Sequence, residues 1–175
     1  MEETTISIKK HILKYGITLG ILFVVYGVIL YLTDNTTSKN QIFAVIRATI
    51  LIGIIIYGIK VYKSANNGFL KLNEALKIGI GIALVGGIIT IVWNSLLMNV
   101  IEPNMTDQIF DAQRKAMYEK DPNISQEQIK QSRALVEKIN SPYIMSIIGI
   151  AWNLFSGFII SLIGGAIMQK NRDVF

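Results

Sequence analysis

Four long runs without a charged residue constrain the fold of this 175-residue chain more than any other feature. They contain 19, 12, 24 and 31 residues and cover Tyr15 to Thr33, Ala48 to Ile59, Ile78 to Ile101 and Ile139 to Gln169. A helix needs roughly 20 predominantly apolar residues to cross a hydrocarbon core about 30 Å thick. Three runs reach that length, and the second reaches it when Arg47 is included. A mean hydropathy of +0.46 also favours a membrane protein.

These runs predict an all-α fold, a four-transmembrane-helix bundle in which residues 1–175 form a single integral membrane domain. The predicted spans cover about 12–32, 42–62, 78–101 and 143–168. A signal peptide is the alternative for the first span. That span is longer than a usual apolar signal region, and Asp34 follows it with no small-x-small cleavage site, so we favour an uncleaved anchor.

Lysine and arginine residues crowd one side of the predicted bundle. Nine of them border the spans near the two termini and in the connection between spans two and three: Lys9, Lys10, Lys14, Lys60, Lys63, Lys71, Lys77, Lys170 and Arg172. Cytoplasmic loops are rich in such residues close to span ends. We therefore expect a multi-pass membrane protein with both its N-terminus and its C-terminus in the cytoplasm.

The connection between spans three and four, about 104–140, has the pattern of two short helices. Asn104 and Asp107 form an N-cap pair for the first helix, which has an apolar stripe at helical spacing made of Ile109, Ala112, Ala116 and Met117. Pro122 then interrupts the helical pattern. We predict an extracytoplasmic helical hairpin here, between helices 3 and 4.

The second helix of this hairpin has strong start signals. Ser125 and Gln128 form a capping box, and Ile124 and Ile129 are spaced for a hydrophobic staple. Its apolar face carries Ile129, Ser132, Val136 and Ile139. The hairpin is too small to bury a core alone, so this stripe must pack on its mate, on the membrane surface or on a protein partner.

The connection between spans two and three leaves two structures open. Phe69, Leu72 and Leu76 recur at helical spacing after an Asn66-Asn67-Gly68 turn signal. This pattern is typical of a short amphipathic helix on the membrane surface, and equally of a helical extension of span three.

Small residues recur at intervals of four or eight positions in three of the spans. They are Gly16 and Gly20 in span one, Gly79, Ala83 and Gly87 in span three, and Gly149, Gly157, Ser161 and Gly165 in span four. Faces of this kind let helix backbones approach closely in lipid, where hydrophobic contrast between helices is absent. We predict that these residues pack helices together.

Four polar residues fall within the outer half of the predicted spans: Tyr26, Arg47, Asn94 and Asn153. An ionisable residue inside a membrane is by default a hypothesis for a binding site. On this hypothesis Arg47 is held by Asn94 and Asn153, with Asp34 or Glu102 as counter-charge. The alternative is that Arg47 extends to the interface and the asparagines bond neighbouring helices.

The residue content argues against most enzyme and metal chemistry. The chain has no cysteine and a single histidine, His11, which lies among lysines at the expected cytoplasmic boundary. These counts exclude sulfur-ligated metals and a histidine-rich metal site. No set of catalytic side chains is recognisable, so we expect no enzyme activity, no cofactor and no metal. The net charge of +5 comes from basic residues that border the predicted spans, so it does not indicate a nucleic-acid partner.

Three short segments carry a resemblance to a known family. They are 68–79 (GFLKLNEALKIG), 100–104 (VIEPN) and 161–168 (SLIGGAIM). The chain resembles a family of small four-span inner-membrane proteins of Bacteroidota, classified as a domain of unknown function (DUF4199 type). The resemblance implies an inner-membrane protein and carries no established activity or catalytic residues.

The sequence favours one function and leaves a second as the alternative. The first is a non-enzymatic accessory or interaction protein, whose partners are the lipid bilayer and a protein bound at the hairpin. The second is a small transporter or channel subunit that uses the outer-half polar cluster. Four spans in one copy leave little room for a pathway, so transport would require a homo-oligomer.

Overall fold

A computed structural model describes residues 7–38, 40–139 and 141–170 of the chain. Within these ranges there are six α-helices, and the only β pairing is one isolated bridge. The helices are α1 (Ile8–Leu32), α2 (Gln41–Ala65), α3 (Leu72–Leu96), α4 (Met105–Lys120), α5 (Gln126–Ile139) and α6 (Pro142–Met168). A π-helical turn, Leu97–Ile101, continues α3. The all-α prediction is therefore confirmed.

Four of the helices are long and apolar enough to cross a membrane: α1, α2, α3 with its π-helical turn, and α6. Their outward faces carry large exposed aliphatic side chains, among them Ile21, Ile52, Ile88 and Ile163. Contiguous apolar surface of this extent would be unfavourable in water and suits lipid. The chain is therefore a membrane protein by the length and composition of its helices.

Helix α3 is the central helix of the bundle and packs most closely on α1 and α6. A Cβ atom added at Gly16 would lie 2.5 Å from Val85 Cβ, and one added at Gly157 would lie 2.6 Å from Ala83 Cβ. At the α1–α3 crossing the glycine meets a larger side chain, whereas at the α3–α6 crossing two small residues meet, and either arrangement lets the backbones approach closely. The core between the helices includes Leu19, Ile55, Ile59, Ile78 and Ile82, which have no exposed surface.

Gly149 departs from the predicted packing stripe of α6. A Cβ atom there would meet nothing within 4 Å, so this glycine takes no part in helix packing. The start of α6 stands away from α3, and a cavity of about 30 Å³ separates the two helices near Asn94 and Ser146. The remaining small residues of the stripe, Gly157, Ser161 and Gly165, face α3 directly.

The connection between α2 and α3 is an extended segment followed by the helical extension of span three. α3 already begins at Leu72, where the backbone N–H of Lys71 donates to the Glu74 carboxylate at 2.8 Å. The buried Leu70 forms an antiparallel bridge with Lys170, which follows α6. This pairing brings the end of α6 to the start of α3.

One end of the bundle collects the basic residues predicted to border the spans. The start of α1, the end of α2, the start of α3 and the end of α6 all meet there, through contacts of His11, Tyr62 and Leu70. Eight of the nine basic residues lie at this end, and the ninth, Arg172, lies outside the described residues.

Helices α4 and α5 form a pair that buries part of their apolar faces. Phe110, Ile129 and Val136 are buried against each other, and Ile109 and Ile124 pack on them. The capping box is present, because the N–H of Ser125 donates to Gln128 Oε1 at 3.0 Å and the N–H of Gln128 donates to Ser125 Oγ at 3.2 Å. Three surfaces were expected to cover the apolar stripe of α5: the other helix of the hairpin, the membrane surface or a protein partner. In the structure, α4 covers the buried part of this stripe.

Polar contacts also join the two helices of the pair. Gln113 donates to Ser132 Oγ at 3.2 Å, and Arg133 pairs with Asp107 of α4 and with Glu137 of α5 at 2.9 Å each. The hydrogen bond to Glu137 and the charge of Asp107 raise the pKa of Arg133. Two details differ from expectation: Asn104 makes no side-chain cap bond, and Ile139, at the end of α5, is exposed.

Candidate functional site

Three of the four predicted polar residues line one cavity of about 170 Å³ between α1, α2 and α3. These are Tyr26, Arg47 and Asn94, and we call this space the Arg47 cavity. Tyr26 is positioned by a hydrogen bond from its hydroxyl to the carbonyl oxygen of Phe43, at 2.8 Å. That bond ties α1 to the first turn of α2. The other lining residues are Phe23, Gly27, Leu30, Thr36, Thr90, Trp93 and Leu97.

Arg47 contacts an aromatic ring rather than a carboxylate. Its guanidinium carbon lies 5.0 Å from the centroid of the Phe23 ring, within the range of a cation–π interaction. The expected counter-charges do not reach it: in the described ranges the three ion pairs all belong to α4 and α5. Glu102 instead accepts a hydrogen bond from Gln108, and Asp34 lies in the turn after α1.

Asn153 lies away from the Arg47 cavity. Its amide nitrogen donates to the carbonyl oxygen of Gly149 in its own helix at 2.9 Å, and the side chain packs against Gly87 of α3. The structure therefore does not bring Asn153 to Arg47, although Asn94 lines both this cavity and the small cavity between α3 and α6. Asn153 and Arg47 were expected at a similar depth in the bundle, but a similar depth does not bring two residues into contact.

The Arg47 cavity is closed on the side that faces the bundle centre. Phe23 and Thr90 are buried there, and the Thr90 hydroxyl donates to the Gly86 carbonyl at 2.9 Å. One turn deeper, Leu19 of α1 has no exposed surface. The cavity is therefore a recess open toward the α1–α2 connection, where Thr36 lies.

The lining of the recess can bind an anion more readily than it can react with one. The guanidinium of Arg47 and the amide of Asn94 are hydrogen-bond donors suited to oxyanions. The hydroxyls of Tyr26 and Thr90 already donate to backbone carbonyls. Across the described ranges, no three His, Cys, Asp or Glu side chains are grouped so that they could hold a metal ion.

The dipeptide Trp-Asn occurs twice in the chain, as Trp93-Asn94 and Trp152-Asn153, and its two copies have different environments. Trp93 lines the Arg47 cavity and packs against Gly27 of α1. Trp152 is 65% exposed on the outer face of α6, with its ring centroid 6.2 Å from that of Phe155. The repeated dipeptide therefore does not indicate a repeated site.

The sequence analysis missed a cluster of aromatic rings at the basic end of the bundle. His11 is buried there, with ring centroids 4.6 Å from Tyr15 and 5.6 Å from Tyr62. Tyr62 donates to the Glu74 carboxylate at 3.3 Å. The available signal was the spacing of four between His11 and Tyr15, which places both rings on one face of α1.

A second cavity lies beside α4. It is an open groove of about 490 Å³ between α4 and the α1–α2 connection. We call it the α4 groove. Its walls are the apolar stripe predicted for α4, which is Ile109, Ala112, Ala116 and Met117, together with Thr36, Thr37, Ser38, Gln113 and Lys120. The stripe is thus only partly covered by the residues that the structure describes.

Comparison with known proteins identifies a family and nothing more specific. No curated protein and no solved structure matches the chain. One family model matches residues 14–170, which run from within α1 to the bridge residue after α6. Because this match covers most of the chain, the protein belongs to the family described as protein of unknown function (DUF4199).

Proposed function

We propose that the protein is a non-enzymatic accessory or interaction protein of the bacterial inner membrane that binds a partner protein through the α4 groove. In this proposal it has four spans, both termini are cytoplasmic, and α4 and α5 are extracytoplasmic. On the basis of the family resemblance found in the sequence, we also propose that the protein comes from Bacteroidota. The observation that carries the proposal is the apolar stripe of α4 that remains in an open groove.

The orientation follows from the distribution of charge. The end of the bundle with Lys9, Lys10, Lys60 and Lys71 is the end expected in the cytoplasm under the positive-inside rule. α4 and α5 connect α3 to α6 and therefore lie at the opposite end. A partner of the α4 groove would be another membrane or extracytoplasmic protein.

Two faces of α4 have different environments. Met105 and Phe110 are buried, the latter against α5. Ala112, Ala116 and Met117 are half-buried and line the groove instead. Alanines one turn apart leave space for side chains of a partner helix, and Gln113 and Lys120 supply a polar rim. An apolar centre with a polar rim is the usual composition of a protein interface.

Site-specific photocrosslinking in intact cells tests this proposal. A photoreactive amino acid at Ala112 or Ala116 should produce one adduct of the same mass at both positions. Lys115 and Glu119, exposed residues of the same helix that do not line the groove, are the matched controls and should produce none. Met117→Glu should abolish the adduct by placing a charge in the apolar groove. Equal labelling at all four positions, or none at the groove positions, would contradict the proposal.

The second candidate function is a small transporter or channel subunit, and the Arg47 cavity favours it. A cation with no carboxylate partner in the described ranges borders this recess. Since the recess ends at Phe23 and Thr90, a pathway would require a second copy or an opening of the bundle. Anion flux into liposomes containing the purified protein, lost in Arg47→Gln, would support this function. Flux indistinguishable from protein-free liposomes would contradict it.

A further inference from the structure

A third groove opens toward lipid at the basic end of the bundle, between α1 and α3. Its volume is about 700 Å³. The walls are mostly aliphatic, with two lysines as the charged members: Ile8, Lys9, Ile12, Leu13, Leu76, Lys77, Ile80 and Gly81. We call it the α1–α3 groove. It shares no residue with the Arg47 cavity or the α4 groove.

The two lysines lie at the same level, at one end of this groove. Ile12 packs onto Gly81, where an added Cβ atom would come within 2.7 Å of Ile12 Cδ1. Ile8 and Lys77 each precede these two residues by four positions, which is about one helical turn. Because both helices run in the same direction from the basic end, Lys9 and Lys77 lie nearer to that end than Ile12 and Gly81 do.

Neither lysine takes part in an ion pair with a residue that the structure describes. Both side chains are exposed, and within residues 7–38, 40–139 and 141–170 no acidic residue lines the groove. A smaller apolar groove, of about 240 Å³ between α2 and α6, is lined by no charged residue. The α1–α3 groove therefore combines a wall suited to an acyl chain with two cations at the level of the membrane surface.

We propose that the α1–α3 groove binds an anionic phospholipid, with one acyl chain along Leu13 and Ile80 and the phosphate between Lys9 and Lys77. Basic sites between transmembrane helices recognise anionic headgroups by charge, while a zwitterionic lipid offers no net charge to them. The site is independent of a protein partner at the α4 groove and of an anion at Arg47.

Lipid titration of the delipidated full-length protein, followed by native mass spectrometry, tests the site. Phosphatidylglycerol should bind more tightly than phosphatidylcholine with the same acyl chains. The double variant Lys9→Gln/Lys77→Gln should weaken phosphatidylglycerol binding by on the order of 30-fold, as expected for two lysines near a charged surface. Binding of phosphatidylcholine should remain unchanged.

The matched control is Lys10→Gln/Lys60→Gln, which removes the same charge from exposed residues of the basic end that do not line the groove. It should change phosphatidylglycerol affinity by less than about threefold. An equal loss in both double variants would overturn the proposal, because it would show general attraction to a basic surface.

A second pair of variants tests whether the acyl chain binds in the α1–α3 groove. Leu13→Trp fills the groove without changing the charge, whereas Leu22→Trp enlarges a lipid-facing residue of the same helix outside it. Leu13→Trp should weaken phosphatidylglycerol binding, and Leu22→Trp should not. Unchanged binding in Leu13→Trp would overturn the groove as the binding site. Circular dichroism of each variant establishes that the helical content is retained.

Discussion

His11 of α1 lies 2.7 Å, through its Nε2 atom, from the carbonyl oxygen of Gly58 of α2. A carbonyl oxygen can only accept, so Nε2 carries the proton in this contact. The imidazole is buried between the rings of Tyr15 and Tyr62. The single histidine of the chain therefore joins two helices, although its sequence neighbours Lys9 and Lys10 are exposed.

Replacing His11 should destabilise the bundle through the loss of this hydrogen bond. His11→Phe retains a ring between Tyr15 and Tyr62 but has no donor for the Gly58 carbonyl. We expect it to lower the free energy of unfolding by about 1 kcal/mol, the net value of one such bond. Thermal unfolding in mild detergent measures the change. His11→Gln, whose amide can donate, should recover part of the loss, and wild-type stability in His11→Phe would show that the bond contributes nothing.

Two glycines of α6 should respond oppositely to the same substitution. In Gly157→Ala the new Cβ would lie 2.6 Å from Ala83 Cβ and 3.1 Å from the Gly79 carbonyl oxygen. The helices must separate to admit it, which we expect to cost about 1–3 kcal/mol of stability. In Gly149→Ala the Cβ meets nothing within 4 Å. That variant should be neutral or more stable by up to about 1 kcal/mol, because alanine has the higher helix propensity.

These two variants share one assay, thermal unfolding in the same detergent. Each serves as the control for the other, since both replace a glycine of α6 with the same residue. Similar destabilisation of both would mean that α6 does not pack as described. A stable Gly157→Ala would mean that its crossing with α3 is looser than 2.6 Å implies.

Arg47 should be coupled to Phe23 and independent of Asn153. The guanidinium lies over the Phe23 ring, whereas Asn153 bonds within α6. In a double-mutant cycle, Arg47→Leu and Phe23→Leu should show a coupling energy of about 0.5–1 kcal/mol. Arg47→Leu and Asn153→Ala should add to within about 0.5 kcal/mol. Strong coupling between Arg47 and Asn153 would instead restore the arrangement expected from the sequence.

Cysteine labelling of intact cells tests the orientation of the bundle. The chain has no native cysteine, so single-cysteine variants report one position each. An impermeant maleimide should label Asn123→Cys in the turn between α4 and α5, and Ser38→Cys in the α1–α2 connection. It should not reach Ser64→Cys near the end of α2 until the membrane is permeabilised. All three residues are exposed, and the opposite labelling pattern would reverse the topology.

The sequence was sufficient to predict those features that depend on residues close together in the chain. The apolar runs indicated where the long helices α1, α2, α3 and α6 lie, because a run of about twenty apolar residues is long enough to cross a hydrocarbon core as a helix. The caps at Ser125 and the break at Pro122 determined the limits of α4 and α5 to within two residues, since a helix start depends on groups three residues apart. The charge distribution likewise indicated which helix ends lie together.

Only the tertiary structure decided which way each helix faces. The sequence placed Asn94 and Asn153 at a similar depth, but Asn94 lines the Arg47 cavity and Asn153 packs against Gly87. In lipid, hydrophobic contrast does not orient a helix, and rotation depends on how small residues from several helices fit together. Gly149 and Gly157 belong to one stripe in sequence, yet only Gly157 meets α3, because the start of α6 stands away from it. The depth of a residue along its helix follows from its position in the sequence. The neighbour that its side chain faces depends on how all the helices of the bundle pack.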